Sequence, residues 1–245
     1  MDAKKIKDAL IKQRKMNLKG NLYYKTQIDF AYNTNHMEGS TITPDETASI
    51  FDTGTILADK EKVIVLKDAT ETQNHFFLFN YMLDTLDKPL TEELIKNYHF
   101  ILKNGTLTES EKSWFNVGDY KKLKNVVCDI TTSLPKNVPT DMKKLLNWYN
   151  KIENKKIEDI IEFHAKFEKI HPFQDGNGRV GRMIMFRECL SNNIIPFYIE
   201  DRNKAFYIRG LKEYQLHNNK GYLIDTCLNN QDNYTKLAEY FLENN

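Results

Sequence analysis

The twelve residues His171 to Arg182, HPFQDGNGRVGR, decide how the rest of this chain is read. Upstream, IEDIIEFHAKFEKI places Ile157, Ile160, Ile161, Phe167 and Ile170 on one helical face. Pro172 cannot continue that helix. Downstream, VGRMIMFRECL is helical again until the asparagines and proline of NNIIPF end it. The stretch is therefore a helix–loop–helix, with the second helix starting near Asn177. Gly176 and Gly178 let the backbone turn and let a ligand approach closely. A helix start offers unsatisfied N–H groups and a positive dipole end, which together attract anions.

The side chains in this window share one theme. Arg179 and Arg182 are three residues apart, so they lie on one face of the new helix. Two guanidinium forks suit several phosphate oxygens at once. Asp175 beside them would repel a phosphate unless a cation lies between, and Mg2+ is the usual one. His171, at the mouth of the loop, belongs to the residue type that exchanges protons near neutral pH. Taken singly, each residue has an ordinary use as a cap, a turn or a solvated face. Together they describe a polyphosphate held beside a base.

Outward from this window most of the chain reads as helix. TITPDETASIF has Thr43, Pro44 and Glu46, a capping box with proline at its start. Residues 58–84 carry a stripe at Leu66, Ala69, Phe76, Phe77 and Tyr81, and LTEELIKNYHFIL opens on a Thr91–Leu94 cap. One stretch breaks the habit. Between a glycine and two prolines, Val126 to Thr132 is β-prone, which predicts an irregular hairpin flap over residues 117–134. Only 10 glycines and 6 prolines also favour long helices over a many-turned sheet.

Composition narrows the function classes. The chain has 245 residues, 35 basic and 34 acidic, for a formal net charge of +1. That balance gives no global pull toward nucleic acid or an anionic membrane, and no apolar run is long enough to span a bilayer. Cys128, Cys189 and Cys227 are far apart and odd in number, so neither a zinc site nor a disulfide framework is expected. With a charged N-terminus and no apolar signal core, the expected location is cytoplasmic. His164 and His171 lie two turns apart, but no HExxH or comparable set surrounds them, which argues against a metallohydrolase.

The window resembles the signature of the Fic family, H-P-F-x-[D/E]-G-N-G-R-x-x-R. All nine specified positions match: His171, Pro172, Phe173, Asp175, Gly176, Asn177, Gly178, Arg179 and Arg182. ETQNHFFLFNYM, LTEELIKNYHFIL, GDYKKLKNVVC and RNKAFYIRGL are similar to the segments that flank the motif, so the resemblance covers about residues 58–230. It implies a mostly α fold, a helical bundle with a short β-hairpin flap beside the active-site loop. The expected division is an N-terminal helical segment, 1–57, and a Fic core with C-terminal helices, 58–245. The implied activity is transfer of AMP from ATP to a hydroxyl of a target protein. His171 would take the proton of a Tyr, Ser or Thr hydroxyl. Asp175 would hold Mg2+. Gly176, Asn177, Gly178 and Arg179 would cradle phosphates, and Arg182 would pair with the β- or γ-phosphate. Tyr207 resembles an adenine-side contact, with Gln215 a weaker candidate. Gly178 stands where the family's Doc-like kinases have lysine, which implies adenylyl rather than phosphate transfer. The flap, through Val126 and Val127, would hold the target by backbone bonds that read little side-chain sequence. Lys121 departs from the arginine that many members carry there.

NTNHMEGS, residues 33–40, adds a second element. Residues 24–38 read as a helix ended by Gly39, with Tyr24, Ile28, Ala31, Asn35 and Glu38 on one face. The wheel alone leaves open whether Glu38 sits in water or meets a cation such as Arg182. Thr34, Glu38 and Gly39 resemble the family's inhibitory motif [S/T]-x-x-x-E-[G/N], which implies a Glu38–Arg182 pair that blocks productive ATP binding. In some relatives the same glutamate orients water to remove AMP. Three readings stand: a regulated AMP transferase, a hydrolase or dual enzyme that removes AMP, and a non-catalytic ATP-sensing regulator. Self-modification and a homo-oligomer stay open as partners; the target protein is not named by the sequence.

Overall fold

The structure, a computed structural model, describes residues 1–16, 18–56, 62–127 and 130–243. At its centre lies a pair of helices, α7 (Ile157–Ile170) and α8 (Asn177–Ser191), joined by the six-residue turn read above. Every residue of α8 from Arg179 to Leu190 is buried. A helix buried all round must satisfy its charges internally. Arg187 does so through Glu188 and the carbonyls of Thr85 and Lys88, and Glu188 accepts a bond of 2.9 Å from the Tyr149 hydroxyl.

Eight further helices wrap this pair among the described residues: α1 (Ala3–Met16), α2 (Leu22–Met37), α3 (Pro44–Thr53), α4 (Leu66–Asp84), α5 (Glu92–Lys103), α6 (Val138–Asn150), α9 (Lys204–His217) and α10 (Gly221–Glu243). None is long and apolar enough to cross a membrane. The local signals for α3 and α5 act as their chemistry requires. Thr43 and Glu46 form a reciprocal capping box, and Thr91 Oγ1 accepts from the Leu94 amide at 3.1 Å.

The stripe expected over residues 58–84 needs correction. Residues 57–61 lie outside the described part, residues 62–65 are not helical, and α4 starts at Leu66. Leu66 and Phe77 are exposed, at 79% and 56%. The inward residues are Phe76, Leu78, Phe79, Met82 and Leu83. Helix α4 packs against both α2 and α5, so two faces rather than one are buried.

Apolar side chains from both sides of the boundary drawn at residue 57 meet in one core. Ile6, Leu10 and Phe30 belong to the same cluster as Phe79 and Phe186. Phe30 of α2 lies 5.3 Å from the Phe186 ring of α8 and 5.7 Å from Tyr198. This packing lays α2 across α8 and brings the C-terminal end of α2 to the start of α8.

Strands β1 (Val126–Val127) and β2 (Ile130–Thr131) pair antiparallel, Val126 with Thr131 and Val127 with Ile130. Cys128 and Asp129, between them, lie outside the described residues. Backbone bonds tie this hairpin to the α7–α8 turn from both sides: Lys121 N–H donates to Pro172 O at 2.9 Å, and Ser133 N–H to Ile170 O at 3.3 Å. Lys121 points inward, where its ammonium donates to Asn125 Oδ1 at 2.6 Å and Thr132 Oγ1 at 2.9 Å. Burial pushes that amine down to about 8.

Candidate active site

Helix α7 ends on His171 itself. The residue adopts a left-handed conformation, φ 52° and ψ 63°, while its N–H still bonds Phe167 O at 2.9 Å. For a residue with a Cβ this costs about 1–2 kcal/mol. The chain tolerates it because Pro172, next in line, has to leave the helix. The result is an imidazole at a helix end, 16% exposed, beside the turn that starts α8.

Within the turn, Asn177 works as a brace. Its side chain accepts from Phe173 N at 2.8 Å and donates to Phe173 O at 2.8 Å, and Asn125 Nδ2 adds a bond to the same carbonyl at 3.0 Å. Asn177 is 1% exposed, and its side chain fixes the shape of the loop. Phe173 is fully buried and stacks on His99, with ring centroids 3.9 Å apart. His99 in turn accepts from Gly118 N at 2.9 Å and meets Asp175 O at 3.1 Å through Nε2. That pattern requires Nε2 to carry the proton. Burial holds the ring neutral, with its pKa near 3.

Gly176, at φ 83°, is the N-cap of α8 and provides no side-chain cap. The first amides of α8 are thus without the oxygen that Ser, Thr, Asp or Asn would supply. Glu38 approaches this place instead. A Cβ at Gly178 would run into Glu38 Oε1 and come within 2.9 Å of Arg182 Nη1. Glu38 Oε1 accepts from Arg182 Nη2 at 2.5 Å. Thr34 holds the same guanidinium by Oγ1 (2.7 Å to Nε) and by its carbonyl (3.2 Å to Nη2). Arg182 is 3% exposed. Its burial opposes the charge, but Glu38 outweighs that and holds the guanidinium firmly protonated. Gly39, at φ 94°, turns the chain away directly after the carboxylate.

Arg179 has a different partner. Its Nη1 bonds Glu71 of α4, with Asn35 Oδ1 at 3.3 Å and Asp175 Oδ1 3.7 Å from Nη2. Glu71 also takes the ammonium of Lys103, a lysine with no exposed side-chain surface. Lys103 then reaches Asp175 Oδ2 at 2.7 Å. Lys67 stands 3.6 Å from the same oxygen. Three cations and two carboxylates thus interlock around the start of α8. Glu71 and Lys103 were not singled out from the sequence. A glutamate or lysine on a helix is ordinarily solvated, and only the packing of α4 and α5 on α8 makes these two meet.

Asp175 is the residue on which a divalent cation would depend. Burial would raise its carboxyl, but Lys103 and Arg179 outweigh that and hold it well below the usual range. Its side chain is 42% exposed. Among the described residues no cluster of three or more His, Cys, Asp or Glu could cage a metal. A Mg2+ carried chiefly by substrate phosphates needs only one or two protein carboxylates. An ionised, partly exposed Asp175 fits that demand.

Two predicted nucleotide contacts part ways. Tyr207 lies under Arg182, 5.9 Å from ring centroid to guanidinium carbon, with its hydroxyl 2.5 Å from His164 Nε2 and only 2% of its surface exposed. Gln215 donates to Ala165 O at 3.1 Å and lines a separate hollow with Lys169 and His217. Thr34, Glu38, Gly178, Arg182 and Tyr207 thus form one group; Asp175 and Arg179 form a second with Glu71 and Lys103; Gln215 joins neither. Val126 of the hairpin is 73% exposed.

Residues 89–189 match the Fic/DOC family. Over 112 residues the chain is 36% identical to a probable protein adenylyltransferase of Aquifex aeolicus, spanning 42% of this chain and 33% of that one. It is 25% identical over 191 residues to protein adenylyltransferase Fic of Nematostella vectensis, spanning 74% of this chain and 42% of that one. It therefore matches about a third to two-fifths of the length of these curated relatives. In fold it resembles a Fic-domain-containing signaling protein of Bacteroides thetaiotaomicron, with a TM-score of 0.75, 22% identity, and 89% and 87% of the two chains covered.

Proposed function

The chain belongs to the Fic family, and from that premise we propose that it is a protein adenylyltransferase held in check by Glu38. The observation that carries this reading is the position of the Glu38 carboxylate. It lies over Gly178 and on Arg182, where the uncapped start of α8 would otherwise receive a phosphate.

The reaction follows from the groups around that start. ATP lays its phosphates against the α8 amides and Arg182 once Glu38 has withdrawn. A target Tyr, Ser or Thr hydroxyl, presented along the Val126–Val127 edge, gives its proton to His171. The freed oxygen attacks the α-phosphorus. The bond from that phosphorus to the bridging oxygen breaks, and pyrophosphate leaves with the electron pair. Asp175 would help to hold Mg2+, which would supply charge neutralisation for the leaving group. The amides and Arg182 stay fixed throughout, so they stabilise developing charge without reorganising. Tyr207 supports Arg182 from beneath.

The test is intact-mass spectrometry of the chain incubated with Mg-ATP, with and without a lysate protein fraction. Glu38→Gly is expected to gain AMP on itself or on a target at least tenfold faster than wild type, a change of about 1.4 kcal/mol in barrier. Adding His171→Ala is expected to abolish the gain and leave ATP binding intact. Equal incorporation with and without Glu38 would refute the lock. Release of free AMP from modified protein, with no pyrophosphate formed, would favour the hydrolase. Binding of ATP with no chemistry in any variant would leave a sensor.

A further inference from the structure

A histidine that takes a proton on one ring nitrogen works best when the other already holds its own proton against an anion. Glu168 lies one helical turn before His171 on α7, and its Oε2 is 3.6 Å from His171 Nδ1. Its side chain is only 9% exposed. Among the described residues neither His171 Nδ1 nor Glu168 Oε1 has a hydrogen-bond partner. Buried polar atoms left unpaired are uncommon, and here an orphaned ring nitrogen lies beside a buried carboxylate.

Gly181 of α8 makes the room. A Cβ there would lie 2.7 Å from Glu168 Oε1 and 2.9 Å from His164 Nδ1. His164 Nδ1 is unpartnered as well, while Nε2 meets the Tyr207 hydroxyl. The charged and titratable groups facing Glu168 are therefore His164 and His171 from its own helix, Arg182 from α8 and Tyr207 from α9. Burial would push the Glu168 carboxyl up, but the attraction of His171, His164 and Arg182 prevails and keeps it ionised. A separation of 3.6 Å exceeds a hydrogen bond, as such contacts often do before substrates bind, and a small side-chain rotation closes it.

We propose that Glu168 is a positioning residue for His171: its carboxylate accepts a hydrogen bond from Nδ1–H, leaving Nε2 bare toward the target hydroxyl. This rests on the reading of His171 as the base. In the transfer step the hydroxyl proton moves to Nε2, its electron pair stays on the oxygen that attacks phosphorus, and Glu168 remains ionised beside the new imidazolium. The arrangement also puts the base and the locked arginine around one carboxylate.

Nitrogen-15 NMR of the full chain labelled at histidine tests this without any catalytic assay. Neutral His171 is expected as the Nδ1-protonated tautomer in the wild-type protein. In Glu168→Gln its titration midpoint is expected to fall, since a neighbouring negative charge is removed, while Glu168→Asp keeps most of the wild-type behaviour. In the Glu38→Gly background, Glu168→Gln is expected to lower kcat about 10- to 100-fold with KM for ATP within about twofold. The acidic limb of its pH–rate profile moves to lower pH. An Nε2-protonated His171 in wild type, or an unmoved titration in Glu168→Gln, would overturn the proposal. Loss of AMP transfer in Glu38→Gly itself would strike the proposed reaction only, because the tautomer and the titration are read independently of it.

Discussion

The hydrogen on the Gly178 Cα is what leaves space for the Glu38 carboxylate. At this scale the protein is a set of charges that need one another. Glu71 shows the consequence most plainly. It is 5% exposed and is the shared partner of Lys103 and Arg179, both buried. Removing one member of such a set leaves uncompensated charge in a poorly solvating interior. Glu71→Gln is expected to destabilise the fold by about 3–5 kcal/mol, measured by urea unfolding. A change below about 1 kcal/mol would mean that water or another acid reaches those cations. The pairing of Glu38 with Arg182 was within reach of a helical wheel joined to a motif. Glu71 was not, because nothing local distinguishes a glutamate that faces α8 from one that faces water. Asn177 shows the opposite limit. Its place in the motif implies a part in holding phosphate, and the packing adds a role the motif does not state, a side chain that braces Phe173.

At the scale of elements, the start of α8 is the part with work left undone. Thr43 and Thr91 cap their helices, and both caps could be read from three or four neighbouring letters. Gly176 gives α8 no such cap, which leaves a helix start suited to an anion. The Glu38 carboxylate lies close over Gly178. Under the proposed lock a ligand must displace it, which lowers the ligand's apparent affinity. Mg-ATP at about a hundred times its Kd is therefore expected to stabilise Glu38→Gly by about 2.7 kcal/mol. At the same concentration wild type should gain markedly less, as read by thermal unfolding. Equal gains would show that the carboxylate does not compete with phosphate. The α7–α8 turn was legible because Pro172 and the glycines act on the backbone beside them. The α4 stripe was misjudged because its second buried face depends on α5, a separate element that no local period reports.

For the molecule as a whole, the histidines set a limit on acid stability. Burial is the first cause that depresses His75 and His99 to about 3 and His164 to about 4. Their unfolded counterparts titrate near ~6.5. Between those values the unfolded chain binds more protons than the folded one, so stability rises with pH across the window and is lost as pH falls. Each histidine contributes a slope of up to about 1.4 kcal/mol per pH unit. The urea midpoint is expected to drop steadily from pH 6.5 to pH 4 and to be flatter just above pH 7; a flat profile over the acid range would mean the rings are already open to water. The sequence by itself determined the helix–turn–helix of α7 and α8 and the threonine caps of α3 and α5, since these follow from backbone chemistry over a few residues. Beyond the Glu38–Arg182 pair that the motif implied, only the tertiary structure decided which carboxylate each cation meets. Glu71 and Glu168 come from two different helices, and their charges acquire meaning through burial beside α8, a property of packing that no stretch of the chain carries alone.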